Sequence, residues 1–159
     1  MNIWRLVAHH ERPEEVAEWS RRERTIAIGW GGTGDLNLNN FQNEGELKKI
    51  VAIKHPKSTN SSNGGRSLWR LYDELQIGDL VILSASSSRV ATMRVTSDYF
   101  FVGDEPNYYE HRRRAEVVPI DPNKLWQIAG KAAPGEGVYS TLIRCAKSLG
   151  DAEYNALVG

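Results

Sequence analysis

Short apolar runs punctuated by turn residues alternate with stretches of helical spacing along the whole chain. Ile3 to Ala8 mixes Ile, Trp, Leu and Val with Arg5, the pattern of a half-buried first strand. Pro13 followed by Glu14 and Glu15 is first-turn helix chemistry, and Val16, Ala17 and Trp19 then precede the basic run Arg21, Arg22, Arg24. Thr25 to Trp30 predicts a second strand, and the recurrence of Leu47, Ile50 and Val51 predicts a helix over residues 44 to 53. Ser58 to Gly65, STNSSNGG, holds no apolar residue and predicts a loop. Beyond it Leu68, Leu71, Tyr72 and Leu75 share one helical face, which Gly78 ends. Leu80 to Ser84 is a compact apolar strand, SASSSR a loop or bulge, and Val90 to Val95 an alternating partner strand, so a hairpin is expected. Tyr99 to Val102 prolongs the apolar pattern, Gly103 to Asn107 turns the chain, and Ala115 to Ile120 supplies a further strand. From Pro122 onward the spacing is helical, with Leu125, Trp126 and Ile128 in one segment and Leu142, Ile143, Ala146 and Leu149 in another; Asp151 reads as the N-cap of a last helix.

This order predicts a mixed α+β domain built on a curved, barrel-like mixed sheet of about five or six strands flanked by helices. A chain of 159 residues suits one domain over 1–159, with a core over 3–120 and a helical C-terminal extension over 122–159. Twenty basic side chains balance twenty acidic ones, so any polyanion contact has to come from a local patch. Cys145 is the single cysteine, which excludes an internal disulfide and fits a reducing compartment. The N-terminus acquires charge too early for a signal peptide and no apolar run is long enough to span a bilayer, so a soluble, cytoplasmic protein without membrane contact is expected.

The richest stretch is Ile26 to Leu36, IAIGWGGTGDL, an apolar strand running into Trp30 and a loop of three glycines closed by Asp35. Gly31, Gly32 and Gly34 have no side chains to cover an indole, which leaves Trp30 free to stack on a flat group, and Asp35 can accept a hydrogen bond or cap a turn. A tryptophan after a strand is more often a core residue. Enzyme signatures are missing: no Gly-Lys-Ser/Thr follows the glycines, and His9, His10, His55 and His111 with one cysteine make no metal-ligand spacing. Cys145 sits on an apolar stripe with Leu142, Ile143 and Leu149 and reads as a buried structural residue, while the serines from 84 to 88 lack a nucleophile elbow. No catalysis, metal or cofactor is expected. Charge is locally uneven: from Glu44 to Arg70 six basic residues (Lys48, Lys49, Lys54, Lys57, Arg66, Arg70) face two acids, and Arg112, Arg113 and Arg114 stand beside Tyr108 and Tyr109. Basic patches interleaved with aromatics are the footprint of nucleic-acid binding, although a solvated strand entry has the same look.

The order IAIGW with GDL after it, SLWRLYDELQIGDLVIL, VATMRVTSDYFF and YYEHRRRAEV resembles the EVE-like branch of the PUA superfamily, which is related to YTH domains. It resembles in particular the N-terminal reader modules of McrB-type and Mrr-like modification-dependent restriction systems, over residues 3 to 120. The resemblance implies a curved barrel whose pocket takes a single base flipped from a duplex and stacks it between aromatics, with no catalysis. It places Trp30 as one wall and Ser84 to Ser88 on a strand end lining the pocket, among them Ser84, Ser86 and Ser88. Asn63, Arg66 and Ser67 fall where relatives approach the base or its phosphates, and Tyr99 falls where relatives carry an aromatic, or belongs to the core. Asp35 or a loop Asn would meet the base edge, and Arg89 with Arg112 to Arg114 would meet phosphates. Trp4, Trp69, Tyr99 and Phe100 compete as second aromatic. Relatives commonly carry Gly near position 92 or 93, so Met93 bears on base preference.

The expected function is a non-catalytic module that reads methylated cytosine or adenine in double-stranded DNA and targets a restriction effector, a nuclease or AAA+ NTPase in the same or a partner chain. A reader of methylated or structured RNA and a sensor of a nucleotide-like small molecule are the alternatives.

Overall fold

The protein is described from a computed structural model covering residues 1–57, 61–137 and 139–159, with Ser61 and Ser62 by backbone only. Seven strands among these residues form one curled sheet: β1 (Ile3–Val7), β2 (Thr25–Ile28), β3 (Leu80–Ala85), β4 (Ser88–Val95), β5 (Phe100–Phe101), β6 (His111–Val118) and β7 (Leu142–Arg144). Their order is β2-β6-β4-β3-β1-β7, with β5 beside β6. Only β1 and β3 run parallel; the other pairs are antiparallel. Strand β6 serves two sets of partners. Its first half, His111 to Arg114, pairs with β2 and β5, and its second half, Ala115 to Val118, pairs with β4. The architecture is the mixed α+β, barrel-like sheet flanked by helices that the pattern of elements predicts.

Strand period separates two cores. Trp4 and Leu6 of β1 join Val81 and Leu83 of β3 in the main core, together with Leu47, Leu68 and Leu71 from the helices. The alternate residues Ile3, Leu80 and Ile82 face the other way, into a second core with Leu125, Leu149 and Tyr154. Helix α1 (Pro13–Glu23) buries Val16, Ala17 and Trp19, carries Glu14 and Glu15 in its first turn and Arg21 and Arg22 in its last, and so complements its own dipole. Helix α2 (Leu36–Asn39) is one turn capped by Asp35, whose carboxylate accepts from the Asn37 amide at 3.0 Å. Helix α3 (Glu44–Lys54) starts at Asn43, which accepts from the Glu46 amide. Helices α5 (Pro122–Ile128) and α6 (Asp151–Val158) complete the set, the former capped by Asp121.

Four expectations need correction. The stretch expected as a loop from 58 to 65 is helical from Ser61 in α4 (Ser61–Trp69); residues 58–60 lie outside the described ones. Its glycines serve close packing, since a Cβ on Gly65 would lie 2.7 Å from the Lys48 Cα of α3, and one on Gly64 would lie 2.5 Å from the Trp30 ring. The helix then widens into a π turn, Arg70–Glu74, closed by the Leu75 amide on the Arg70 carbonyl. The segment holding Leu142 and Ile143 is strand β7 rather than helix; it pairs with β1, so the C-terminal part of the chain supplies a strand of the sheet instead of a helical extension. Strand β6 begins at His111, four residues before the expected apolar stretch, and the last helix is capped at Gly150, whose amide donates to Glu153, one residue ahead of Asp151.

Candidate functional site

Trp30 ends the chain's exit from β2 in the left-handed region, at φ 64° and ψ 38°. A bulky residue pays about 1 to 2 kcal/mol for that conformation, so something must hold it there. Its carbonyl is held from three sides. The Thr33 amide donates to it at 3.0 Å, the Thr33 hydroxyl also donates, and His111 Nε2 donates at 3.0 Å. His111 is wholly buried, and its Nδ1 accepts from the Tyr99 hydroxyl at 2.7 Å while the Tyr99 oxygen accepts from the Leu36 amide. The chain of bonds therefore runs in one direction, from Leu36 through Tyr99 and His111 to the Trp30 carbonyl, and requires a neutral imidazole. Burial lowers the His111 pKa to about 4, which keeps the ring neutral, and burial raises that of Tyr99.

The indole borders a cleft of about 110 Å³ lined by His10, Gly29, Trp30, Tyr109 and Thr141. Both aromatic walls are backed. The α4 backbone at Gly64 lies against the Trp30 ring, and His9 stacks on Tyr109 with centroids 4.4 Å apart and planes 14° from parallel. His10 Nε2 and the Thr141 hydroxyl are 3.1 Å apart at the rim. The β2–β6 register pairs Ile28 with His111, and carried two residues further it sets Trp30 opposite Tyr109. That register was the signal for the second wall, but it becomes usable only once β2 is known to pair with β6. None of Trp4, Trp69, Tyr99 or Phe100 supplies this wall. Next to the glycine turn, Glu110 reaches over Gly31 and burial pushes its carboxyl upward. His55 lies 3.1 Å from the Cβ position of Gly32 and borders a shallow depression with Lys54 and Lys57, both exposed.

The other expected residues separate from this cleft. Asp35 is occupied as the α2 cap, and Tyr99 is a buried support for Trp30 rather than a wall. Ser84 and Ser86 line a different cleft, on the other face of the sheet, with Arg89; Ser88 is exposed at the hairpin. Strand parity decides this, because Ser84 shares its side with Leu80 and Ile82 of the second core, whereas Leu83 and Ala85 point into the main core. Ser67 is buried with its hydroxyl accepting from the Leu142 amide, so it faces no ligand. Asn63 is exposed on α4 and Arg66 half-buried beside Glu44, at 3.8 Å.

The arginine cluster of β6 is largely structural. Arg113 is 3% exposed, and its guanidinium donates to the carbonyls of Ser97, Leu71 and Leu75 at 2.7–2.9 Å. Arg112 donates to Glu105 and the Tyr109 carbonyl and lies over Trp19, which itself stacks on Tyr108 at 4.5 Å. Arg114 bonds the Thr25 hydroxyl and lies over Phe100. Arg70 is also withdrawn from the surface, in a bidentate pair with Glu136. The arginine run is therefore not a free basic surface, whereas Lys54 and Lys57, on either side of His55, are exposed.

Cys145 is buried next to β7, and burial raises its thiol to about 12, which removes the thiolate a nucleophile needs. Among the described residues no helix is long and apolar enough to cross a membrane. Residues 4–121 match the model of a family described as "Domain of unknown function (DUF8426)". No curated protein and no solved structure matches the chain.

Proposed function

The chain belongs to the family described as Domain of unknown function (DUF8426), and for this member we propose a non-catalytic nucleic-acid reader that stacks one unpaired base in the Trp30–Tyr109 cleft. The observation that carries the reading is Trp30 itself. The fold commits a buried Tyr99–His111 relay and the Thr33 donors to keep a tryptophan in a strained backbone conformation at the mouth of a cleft. Strain held by that much surrounding structure is a mark of a working residue. The resemblance to EVE-like readers supports the same assignment and points to a methylated cytosine or adenine in DNA, read in the cytoplasm on behalf of a nuclease or AAA+ effector.

Energetics set what each part has to do. Extruding a base costs a few kcal/mol and stacking on an aromatic returns about 1 to 3 kcal/mol per base. Phosphate contacts then supply the remainder, and the exposed Lys54 and Lys57, flanking the His55 that packs on Gly32 of the glycine turn, are the candidates for them. A buried methyl contributes only about 0.8 kcal/mol, so discrimination rests on shape and on hydrogen bonds denied to the wrong base. His10 and Thr141, the polar side chains lining the cleft, are the candidates for that.

Duplexes carrying no modification, 5-methylcytosine, 5-hydroxymethylcytosine or N6-methyladenine, titrated at two salt concentrations beside single-stranded RNA, test the reading. One modified duplex should bind at least tenfold more tightly than the unmodified one, and Trp30→Ala should abolish the difference while leaving the circular dichroism unchanged. Equal binding of all duplexes overturns the reading; preference for RNA reassigns the substrate, and salt-insensitive binding of free nucleotides replaces the reader with a sensor.

A further inference from the structure

The chain that enters β7 ends at the rim of the base cleft, which Thr141 lines. Arginines from elsewhere in the sequence clamp this segment at both feet. Arg70 grips the Glu136 carboxylate at 2.6 and 2.8 Å, and Arg5 Nη2 donates to the Ser140 carbonyl at 2.8 Å. The Val7 amide donates to the Thr141 carbonyl at 2.9 Å, and the Thr141 hydroxyl meets His10 at 3.1 Å. Between the clamps the Ser140 amide donates back to the Gly137 carbonyl at 3.0 Å.

Tyr139 stands on this clamped tip and is 92% exposed, more than any other large apolar side chain among the described residues. The others that are well exposed, Leu38, Ile53, Ile77 and Val117, are aliphatic. The Tyr139 ring has no aromatic or cationic neighbour among the described residues. A lone exposed apolar residue is ordinary on a protein surface. Tyr139 differs in its place and its support. Two residues of backbone span at most about 7 Å, so its Cα lies within that distance of the Thr141 Cα at the cleft rim. Feet held on both sides, and a side chain with only two rotatable bonds to its ring, lower the entropy lost when that ring packs on a ligand.

We propose that Tyr139 is the wedge of the base cleft: its ring enters the duplex stack in the gap left by the base that moves between Trp30 and Tyr109. The proposal rests on the base-stacking reading and names the substrate class, a duplex rather than a single strand. Extruding a base leaves its two neighbours without a stacking partner, and a flat aromatic inserted between them replaces it. A single strand needs no wedge, because its base is already unpaired.

Anisotropy titrations of the full chain test this, with duplexes carrying 5-methylcytosine or N6-methyladenine, the same modified strands alone, and unmodified controls. Tyr139→Ala should weaken binding of the preferred modified duplex at least tenfold and of its single strand less than twofold. Tyr139→Phe, which keeps the ring, should restore duplex binding, whereas Trp30→Ala should lose both probes. The exposed position makes the melting temperature of Tyr139→Ala equal to that of wild type, so the loss is not one of folding. Equal loss on duplex and single strand, or no loss on either, overturns the wedge while the wild type's preference for a modified base leaves the base-stacking reading standing. A wild type that binds the modified single strand more tightly than the duplex overturns the wedge as well. A wild type that prefers no modified probe overturns both.

Discussion

Trp30 reverses the usual order of truncations. At φ 64° an alanine suffers the same left-handed strain as the tryptophan, whereas glycine does not. Trp30→Gly should therefore be more stable than Trp30→Ala by about 1 kcal/mol in urea denaturation, although both lose the ring. The relay behind it sets a pH dependence. An unfolded histidine takes its proton near pH 6.5 and the buried His111 only near 4, so the unfolded state binds more protons in between. Stability from this group is complete above pH 6.5, declines as pH falls toward 4, and is constant below, a loss of about 3 kcal/mol at most. The difference in denaturation midpoint between wild type and His111→Gln, followed from pH 7.5 to 4.5, should shrink on acidification. A constant difference would mean that His111 is not held neutral. At this scale the sequence made Trp30 visible, because glycines flank it, but not its partners. Tyr109, His10 and Thr141 come from three segments whose meeting depends on strand pairing, and Tyr99 gives no local sign of acting through an imidazole.

Arginines can build a strand when the fold supplies their counterparts. His111 to Arg114 has no apolar residue, so alternation could not announce it, yet it pairs with two neighbours in β6. Arg113 explains how: the π turn at Arg70–Glu74 brings the Leu71 and Leu75 carbonyls onto one guanidinium, which caps that helix end from across the sheet. Arg113→Ala leaves those carbonyls buried without donors and should cost about 3 kcal/mol, while Arg114→Ala, at the surface, should cost less than about 1. Equal costs would remove the capping role. Elements with their own periodicity or caps were legible: α1, α3 and the β3–β4 hairpin fall close to their expected bounds. Those that exist through a neighbour were not. Helix α4 tolerates two glycines because α3 and Trp30 press against it, and β7 spans three residues, too few for a period to register.

Over the whole molecule, the C-terminal segment belongs to the fold rather than following it. Strand β7 covers one side of β1, and the Arg70–Glu136 pair ties the segment to the helix end at 2.6 and 2.8 Å with both side chains nearly buried. Burial alone would raise the Glu136 carboxyl, but the Arg70 hydrogen bonds and charge outweigh it and the net shift is downward. Its stabilisation is thus present above the ordinary carboxylate range and disappears as pH falls through the lowered value. Glu136→Gln leaves the buried Arg70 guanidinium with only the longer, half-exposed pair to Glu74 at 3.6 Å and should lose about 2 to 3 kcal/mol at pH 7 in chemical denaturation. Ending the chain at Asp121 should abolish cooperative melting, since Ile3, Leu80 and Ile82 would lose the residues that cover them. The fold class was readable from element order, while the sheet's connectivity was not, because it joins strands distant in sequence. That connectivity sets a folding timetable. Strand β1 leaves the ribosome first, yet Trp4 pairs with Val81 on one side and Arg144 on the other, so the middle of the sheet has to wait for most of the chain. Refolding should be slow for a domain of this size, with β1 amides the last to gain protection in pulsed hydrogen exchange.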